Sequence, residues 1–390
     1  MRRLIISDIH GNIHALDAVL AATGRIDEIW CLGDVVDLGA WSEECVQRLR
    51  EIRVHLVLGN HDLAVLDRPG PEFERIALLA ESHRWTRDRL SAESLAYLRA
   101  APERLMIGDA RLIHDIATAR DLHPAASESQ SAKNHPRHGH LPTVSDRAAA
   151  TAELTLVGHY HLPTRLTAEI GDTTDDAPND NASGDQQSTS AGPVNVDSIA
   201  RIVPDEDRPY ALDERQIVNP GPIGVPDWRP STAGYAIVED GCLSFHSVEI
   251  DPVETLRVGI KRGAPPLVRA LWQRQAADAL VARGDLDAGR DLIEEAIEGT
   301  LASGSLRQTG HLLITLADRA EALGRLEIAA TLIGAAIAEP NPAAIYPTQR
   351  YRAAIASRRL RDAMTADALE RAITAGKLLD AHEAIAAELA

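Results

Sequence analysis

Residues 56–62 read LVLGNHD, an apolar run that stops at Gly59 and is followed at once by Asn60, His61 and Asp62. Gly, Asn and Asp are turn formers, so this stretch alone could be an ordinary tight turn. Its meaning comes from its neighbours. LIIS leads to Asp8 and His10, IWCL to Gly33 and Asp34, RLI to His114, and LTLV to Gly158, His159 and His161. A buried polar side chain without a partner is costly, so groups placed like this must face one another or a ligand.

The apolar runs alternate with helical segments such as HALDAVLAA and WSEECVQRLREI, the pattern of βαβ units in a sheet covered on both faces. In an open α/β sheet the carboxyl ends of the strands lie along one edge, which brings these side chains into one crevice. Asp8 and His10 are two residues apart, as are His159 and His161, a spacing that in extended backbone puts both side chains on one face. Glycines at 33, 59 and 158 keep bulk away and permit a sharp turn. Mixed carboxylate, imidazole and amide donors suit borderline divalent ions. Seven such donors exceed the needs of one ion and suit two ions sharing a carboxylate.

The 390-residue chain is long enough for two or three domains, and its 45% apolar content can fill a core. A formal net charge of −18 and the lack of a basic stripe disfavour long nucleic acid as a partner. Three scattered cysteines, Cys31, Cys45 and Cys242, make neither a disulfide framework nor a thiolate metal site. Arg2 and Arg3 precede only Leu4, Ile5 and Ile6 before polar residues, far short of a signal-peptide core, and no run is long enough to span a bilayer. A cytoplasmic location is expected.

Further candidate strands follow: RLTAEI from 165, RQIV from 215, GYAIV from 234 and CLSFHSVEI from 242, the last two joined by a hairpin signal at Glu239-Asp240-Gly241. Segments near 118–150 and 171–205 are too polar and too rich in Pro, Gly and Ser to bury a core, and read as flexible insertions. His135, His138 and His140 fall in the first of these and read as solvated. His14 and His55 suit surface or packing positions, and Cys31 a small buried apolar one.

Strands then give way to helices. Residues 276–297, AADALVARGDLDAGRDLIEEAI, align with 316–337, LADRAEALGRLEIAATLIGAAI, at an offset of 40, with a Gly-x-Leu turn in each. Such a period reads as helical hairpins that bury their apolar faces by stacking. ITAGKLLDAHEAIAAEL, 373–389, reads as a degenerate third copy. The expected division is 1–255 and 256–390. None of the proposed donors lies beyond 262, so the helical part is expected to be separable.

The ordered series, with LIISDIHGNIHAL, IWCLGDVVDLG, LGNHD, WTRDRLSAESLAYLRAAPERL, VGHYHLP and VNPGPIGVP, closely resembles the calcineurin-like metallophosphoesterase superfamily, its small bacterial phosphoesterase branch above all. The resemblance implies an α/β fold, a four-layer αββα sandwich with two facing sheets, here followed by an all-α helical-repeat domain. It also implies a dinuclear centre: Asp8, His10 and His161 on the first ion, Asn60, His114 and His159 on the second, with Asp34 bridging. His61 would be the general acid or phosphate contact, oriented by Asp62. Two divalent ions, Mn first and then Fe, Co, Zn or Ni, would polarise a phosphoester and lower the pKa of a bridging water for in-line attack. Asp115 beside His114, Tyr160 between the last histidines and Pro222 depart from the family pattern and bear on substrate access. The helical end is similar to the tetratricopeptide-like C-terminal part of large bacterial regulators of the LuxR type, which implies a protein partner or self-association. The alternative reading is a catalytically weak phosphate-sensing scaffold; intact His61 and Asp62 favour the enzyme.

Overall fold

The computed structural model describes residues 1–115, 154–167, 203–338 and 345–389. All of 118–150, most of 171–205, and the histidines at 135, 138 and 140 lie outside the described residues.

Three parallel strands, β1 (Arg2–Ile6), β2 (Glu28–Cys31) and β3 (His55–Leu56), are connected by α1 (Ile13–Thr23) and α2 (Ser42–Ile52). Helices α3 (Asn60–Val65), α4 (Glu72–Arg75), α5 (Ala77–Arg87) and α6 (Ala92–Ala100) follow, then β4 (Arg104–Ile107), β5 (Ala110–Ile113), β6 (Leu154–Leu156), β7 (Thr164–Leu166), β8 (Pro209–Ala211), β9 (Gln216–Asn219), β10 (Thr232–Glu239) and β11 (Cys242–Glu249). One sheet has the order β3-β2-β1-β10-β11-β8 and the other β4-β5-β6-β9-β7. The hairpin at Asp240-Gly241 is present: both residues have positive φ, 50° and 76°, and Glu239 pairs with Cys242, as a two-residue primed turn requires.

The period of two along β1 explains the layering. Leu4 and Ile6 face α1 and α2, packing with Leu16, Val19, Val46 and Leu49. Ile5 points the other way, where Trp30, Val57 and Phe245 meet Leu112, Leu156 and Val218 of the second sheet. On the far face of that sheet Ile113, Val157 and Ile217 are covered by Trp228 and by Ala354 of a C-terminal helix.

Eight described helices follow the strands: α7 (Pro252–Lys261), α8 (Pro266–Ala282), α9 (Leu286–Ala302), α10 (Leu306–Ala322), α11 (Leu326–Ala336), α12 (Pro347–Ala363), α13 (Ala366–Gly376) and α14 (Ala381–Leu389). The 40-residue offset holds from Pro266 to Leu306 and from Leu286 to Leu326, with Gly284 and Gly324 at φ 85° and 74° in the turns. The third pair is not where the sequence put it. α12 and α13 start 41 and 40 residues after α10 and α11, whereas 373–389 holds the end of α13 and α14; Leu378 is 82% exposed and opens no helix.

The helices do not form a detached unit. One apolar cluster takes Leu38, Trp41, Trp85 and Val225 from before residue 255 and Val268, Leu271 and Trp272 from after it. Trp272 Nε1 also donates to Leu38 O at 2.8 Å. His14 is exposed against the Trp41 ring, His55 is exposed, and Cys31 is buried. Among the described residues no helix is long and apolar enough to cross a membrane.

Candidate metal centre

The segments that follow β1, β2 and β6 are built from left-handed backbone. Asp8, His10, Asp34, His159 and His161 have φ of 53°, 45°, 53°, 69° and 53°. The expectation that extended backbone pairs Asp8 with His10, and His159 with His161, is therefore corrected: all four lie beyond the strand ends. Non-glycine residues in this region cost on the order of 1 kcal/mol or more each and persist only where their surroundings hold them. Here the holding is visible. Asp8 N donates to Gly33 O at 3.0 Å and His10 N to Asp34 O at 2.9 Å, so the first loop is laced to the second. His159 N donates to Asp8 Oδ1 at 3.0 Å, and His61 N to Asp34 Oδ1 at 2.9 Å.

Among the described residues, three sets of side chains have donor atoms within 4.8 Å of one another: Asp8, His10 and His161; His10, Asp34 and His61; and Asp34, His114 and His159. Asp34 stands between the outer two, with Oδ2 3.1 Å from His114 Nε2 and 3.7 Å from His10 Nε2. His10 Nε2 and His161 Nε2 are 3.1 Å apart, and Asn60 Oδ1 is 3.2 Å from His159 Nδ1. All seven candidate donors are thus gathered, six of them buried and Asn60 partly so.

The electrostatics fit a cation. Asp8 Oδ2 and His10 Nδ1 are buried without a hydrogen bond, an arrangement that costs free energy unless something else binds there. Burial opposes ionisation of Asp34, yet His114, His61 and His10 hold its carboxyl well below the usual range. Burial likewise disfavours the charged His114, and Asp34 and Asp8 outweigh it, pushing the ring up to about 10. His10 is pushed down to about 3 by burial and by His61. His114 Nδ1 donates to Leu32 O at 2.7 Å, which turns Nε2 toward the carboxylates, the usual way a ligating ring is aimed. A Cβ on Gly59 would run into the Asp34 carboxylate, and one on Gly158 into Ser7 and the His114 ring.

His61 is held differently from the expectation. Its Nδ1 bonds Asp37 Oδ2 at 2.7 Å, and Asp37 is braced by Ser82, Thr86 and Leu38 N. Asp62 faces away from the ring: Oδ1 accepts from Val35 N and Val36 N at 2.9 and 3.2 Å, and Oδ2 from Gly59 N at 3.0 Å. It ties the loop after β2 to the turn after β3, and burial with the nearby Asp34 pushes it up to about 7. The departures at 115 and 160 explain each other, since Tyr160 OH donates to Asp115 Oδ1 at 3.0 Å.

With the ordered motifs and their convergence in place, comparison with known proteins gives a concordant result. The N-terminal region is similar to the calcineurin-like phosphoesterases. The family model matches residues 1–163. A curated relative, an uncharacterized protein of Methanocaldococcus jannaschii, is 28% identical over 258 residues, 63% of this chain and 86% of its own length. A solved metallophosphoesterase of Sphaerobacter thermophilus is 28% identical and covers 70% of this chain and 98% of its own, with a TM-score of 0.49. A hypothetical protein of Pyrococcus horikoshii OT3 is 18% identical and covers 70% and 97%, with a TM-score of 0.45.

Beside the phosphoesterase motifs stand residues that the sequence did not announce. Arg307, the second residue of α10, places Nη2 2.8 Å from His161 Nδ1 and 2.6 Å from Asp227 Oδ2. Tyr346 OH donates to His159 O at 3.1 Å, and the Arg307 guanidinium lies 4.3 Å from the Tyr346 ring centre. No motif spacing links residues 307 and 346 to the first 165. Their role is visible only once the helices are docked.

Proposed function

We propose that the protein is a metal-dependent phosphoesterase with a dinuclear centre. Asp8, His10 and His161 hold one divalent ion, Asn60, His114 and His159 the other, and Asp34 is shared; Mn is the first choice for both. The observation that carries this reading is the convergence of seven donors from five loops, five of the seven in left-handed backbone. Such ions, when bound, polarise the phosphoryl group and make a water nucleophilic at neutral pH.

The chain's own residues supply the rest. His61 donates a proton or a hydrogen bond to the departing oxygen from Nε2, since its Nδ1 is engaged by Asp37. Burial opposes a charge on this ring, but Asp34 and Asp37 raise its pKa above the ordinary value, which keeps the acid form populated. Asp62 acts as a backbone tie and not as the partner of His61.

Mn-loaded full-length protein assayed on p-nitrophenyl phosphate and on bis(p-nitrophenyl) phosphate tests the proposal. Hydrolysis of at least one ester, abolished by chelation and restored by Mn, is expected. Absence of activity on both, in protein with two bound ions, would overturn it.

A further inference from the structure

The helical region reaches the metal centre through one charged side chain, and the disposition of its five N–H groups is informative. Arg307 Nε donates to Asp227 Oδ2 at 2.9 Å, and Nη2 lies 2.6 Å from Asp227 Oδ2 and 2.8 Å from His161 Nδ1. Nη1 makes no hydrogen bond to any described residue. The guanidinium is fixed from three directions: Asp227 is fully buried and is also held by Arg274 at 2.5 Å, the Tyr346 ring stacks beside the cation, and His161 closes the third side. The side chain is 15% exposed, so it is walled in but not sealed.

A planar cation held this rigidly next to a phosphoryl site is suited to bind an anion, because little conformational entropy is lost when the remaining N–H groups are used. We propose that Arg307 is a substrate-contacting residue of the phosphoesterase site, donated by the helical region, and that its Nη1 selects substrates carrying a dianionic phosphate. This rests on the phosphoesterase reading above. The class follows from counting oxygens. A phosphomonoester offers three non-bridging oxygens and two negative charges; a diester offers two oxygens and one charge. A fixed guanidinium beside a centre for two ions has a use for the third oxygen, and only the monoester presents it. The contact costs the protein no rearrangement, since Asp227 already neutralises and orients the cation.

The test uses the full-length, Mn-loaded protein with Arg307→Ala and Arg307→Lys. Metal content, melting temperature, affinity for inorganic phosphate by calorimetry, and kcat/KM on the two p-nitrophenyl esters are measured for each. With parental metal content, Arg307→Ala is expected to lose about tenfold or more in phosphate affinity and in kcat/KM for the monoester, and less than threefold for the diester. Arg307→Lys keeps a cation on Asp227, recovers part of the monoester activity, and carries the same comparison should the Ala variant melt early. Equal losses on the two esters, unchanged phosphate affinity, or loss of an ion from the variants would each overturn the proposal, the last by showing that Arg307 acts only through His161. If the parent cleaves neither ester, the phosphoesterase reading fails, and the phosphate titration still decides whether Arg307 binds the anion.

Discussion

Asp37 Oδ2 lies 2.7 Å from His61 Nδ1, deep in the protein, while the carboxylate adjacent to His61 in sequence, Asp62, bonds only backbone amides. Removing Asp37 should therefore disable His61, and removing Asp62 should loosen two loops. Asp37→Ala is expected to lower kcat by roughly 10²-fold, the scale of losing an effective general acid. The sign of the pH effect follows. Asp34 and Asp37 raise the His61 pKa against burial, and an acid works below its pKa, so losing Asp37 moves the alkaline limb of the rate profile to lower pH. Asp62→Asn should leave that limb in place and lower the melting temperature. A parental profile in Asp37→Ala would refute the pairing.

Metal content separates a shared carboxylate from two unrelated sites. Asp34 Oδ2 approaches both His114 and His10, so Asp34→Asn should lower occupancy of both ions, whereas His161→Ala should spare the ion on Asn60, His114 and His159. Elemental analysis after Mn reconstitution is expected to find two ions per parental chain; one or none would refute the dinuclear reading. Mn should also raise the melting temperature, since a ligand at about a hundredfold its Kd adds ~2.7 kcal/mol to the folded state.

The strand ends and their donors were legible because a buried strand that stops at polar donors breaks the apolar pattern, and five strand ends repeat that break in order. The backbone was not. Positive φ at Asp8, His10, Asp34, His159 and His161 has no signature in residue type, since it is imposed by amides of neighbouring loops. Asp37 was hidden because Asp62, one residue from His61, is the nearer choice along the chain, and distance in space is decided by α5, which supplies Ser82 and Thr86. The helical period was legible to the residue in its first two pairs. Arg307 and Tyr346 were not, because a docking contact between distant segments carries no spacing of its own.

Asp227 should contribute to acid sensitivity away from the metal centre. Burial opposes its ionisation, but Arg274 and Arg307 hold its carboxyl well below the usual carboxylate range. A depressed carboxyl contributes stability that is complete above about pH 4 and is lost as pH falls toward the folded-state value. Asp227→Asn removes that contribution and leaves Arg307 without its carboxylate, while Arg274 keeps Asp278 at 2.8 Å; breaking such a buried pair costs about 3–5 kcal/mol. In chelator-treated protein, so that metal release does not intervene, the variant should melt well below the parent at pH 7. The gap should narrow as both are acidified below pH 4. A constant gap would assign the loss to packing alone.

Ending the chain near residue 262 is the sharpest test of how the two parts depend on each other. Every proposed ion donor survives that cut, yet Val268, Leu271 and Trp272 leave the cluster that they share with Leu38, Trp41 and Trp85. Fully burying side chains of this kind stabilises by roughly 1.5–3 kcal/mol each, so three together approach the whole stability of a typical domain, ~5–15 kcal/mol. The same cut takes Ala354 from the outer face of the second sheet and removes the bond from Leu78 N to Ser303 O at 3.1 Å, which anchors the start of α5 near the Asp37 brace. The truncated chain is expected to aggregate or to unfold without cooperativity, and to bind little Mn. Sedimentation, thermal melts and elemental analysis would show it. A soluble, cooperatively folding truncation with parental metal content and parental preference for the monoester would make the helices a passenger, and would remove Arg307 from the active site as well.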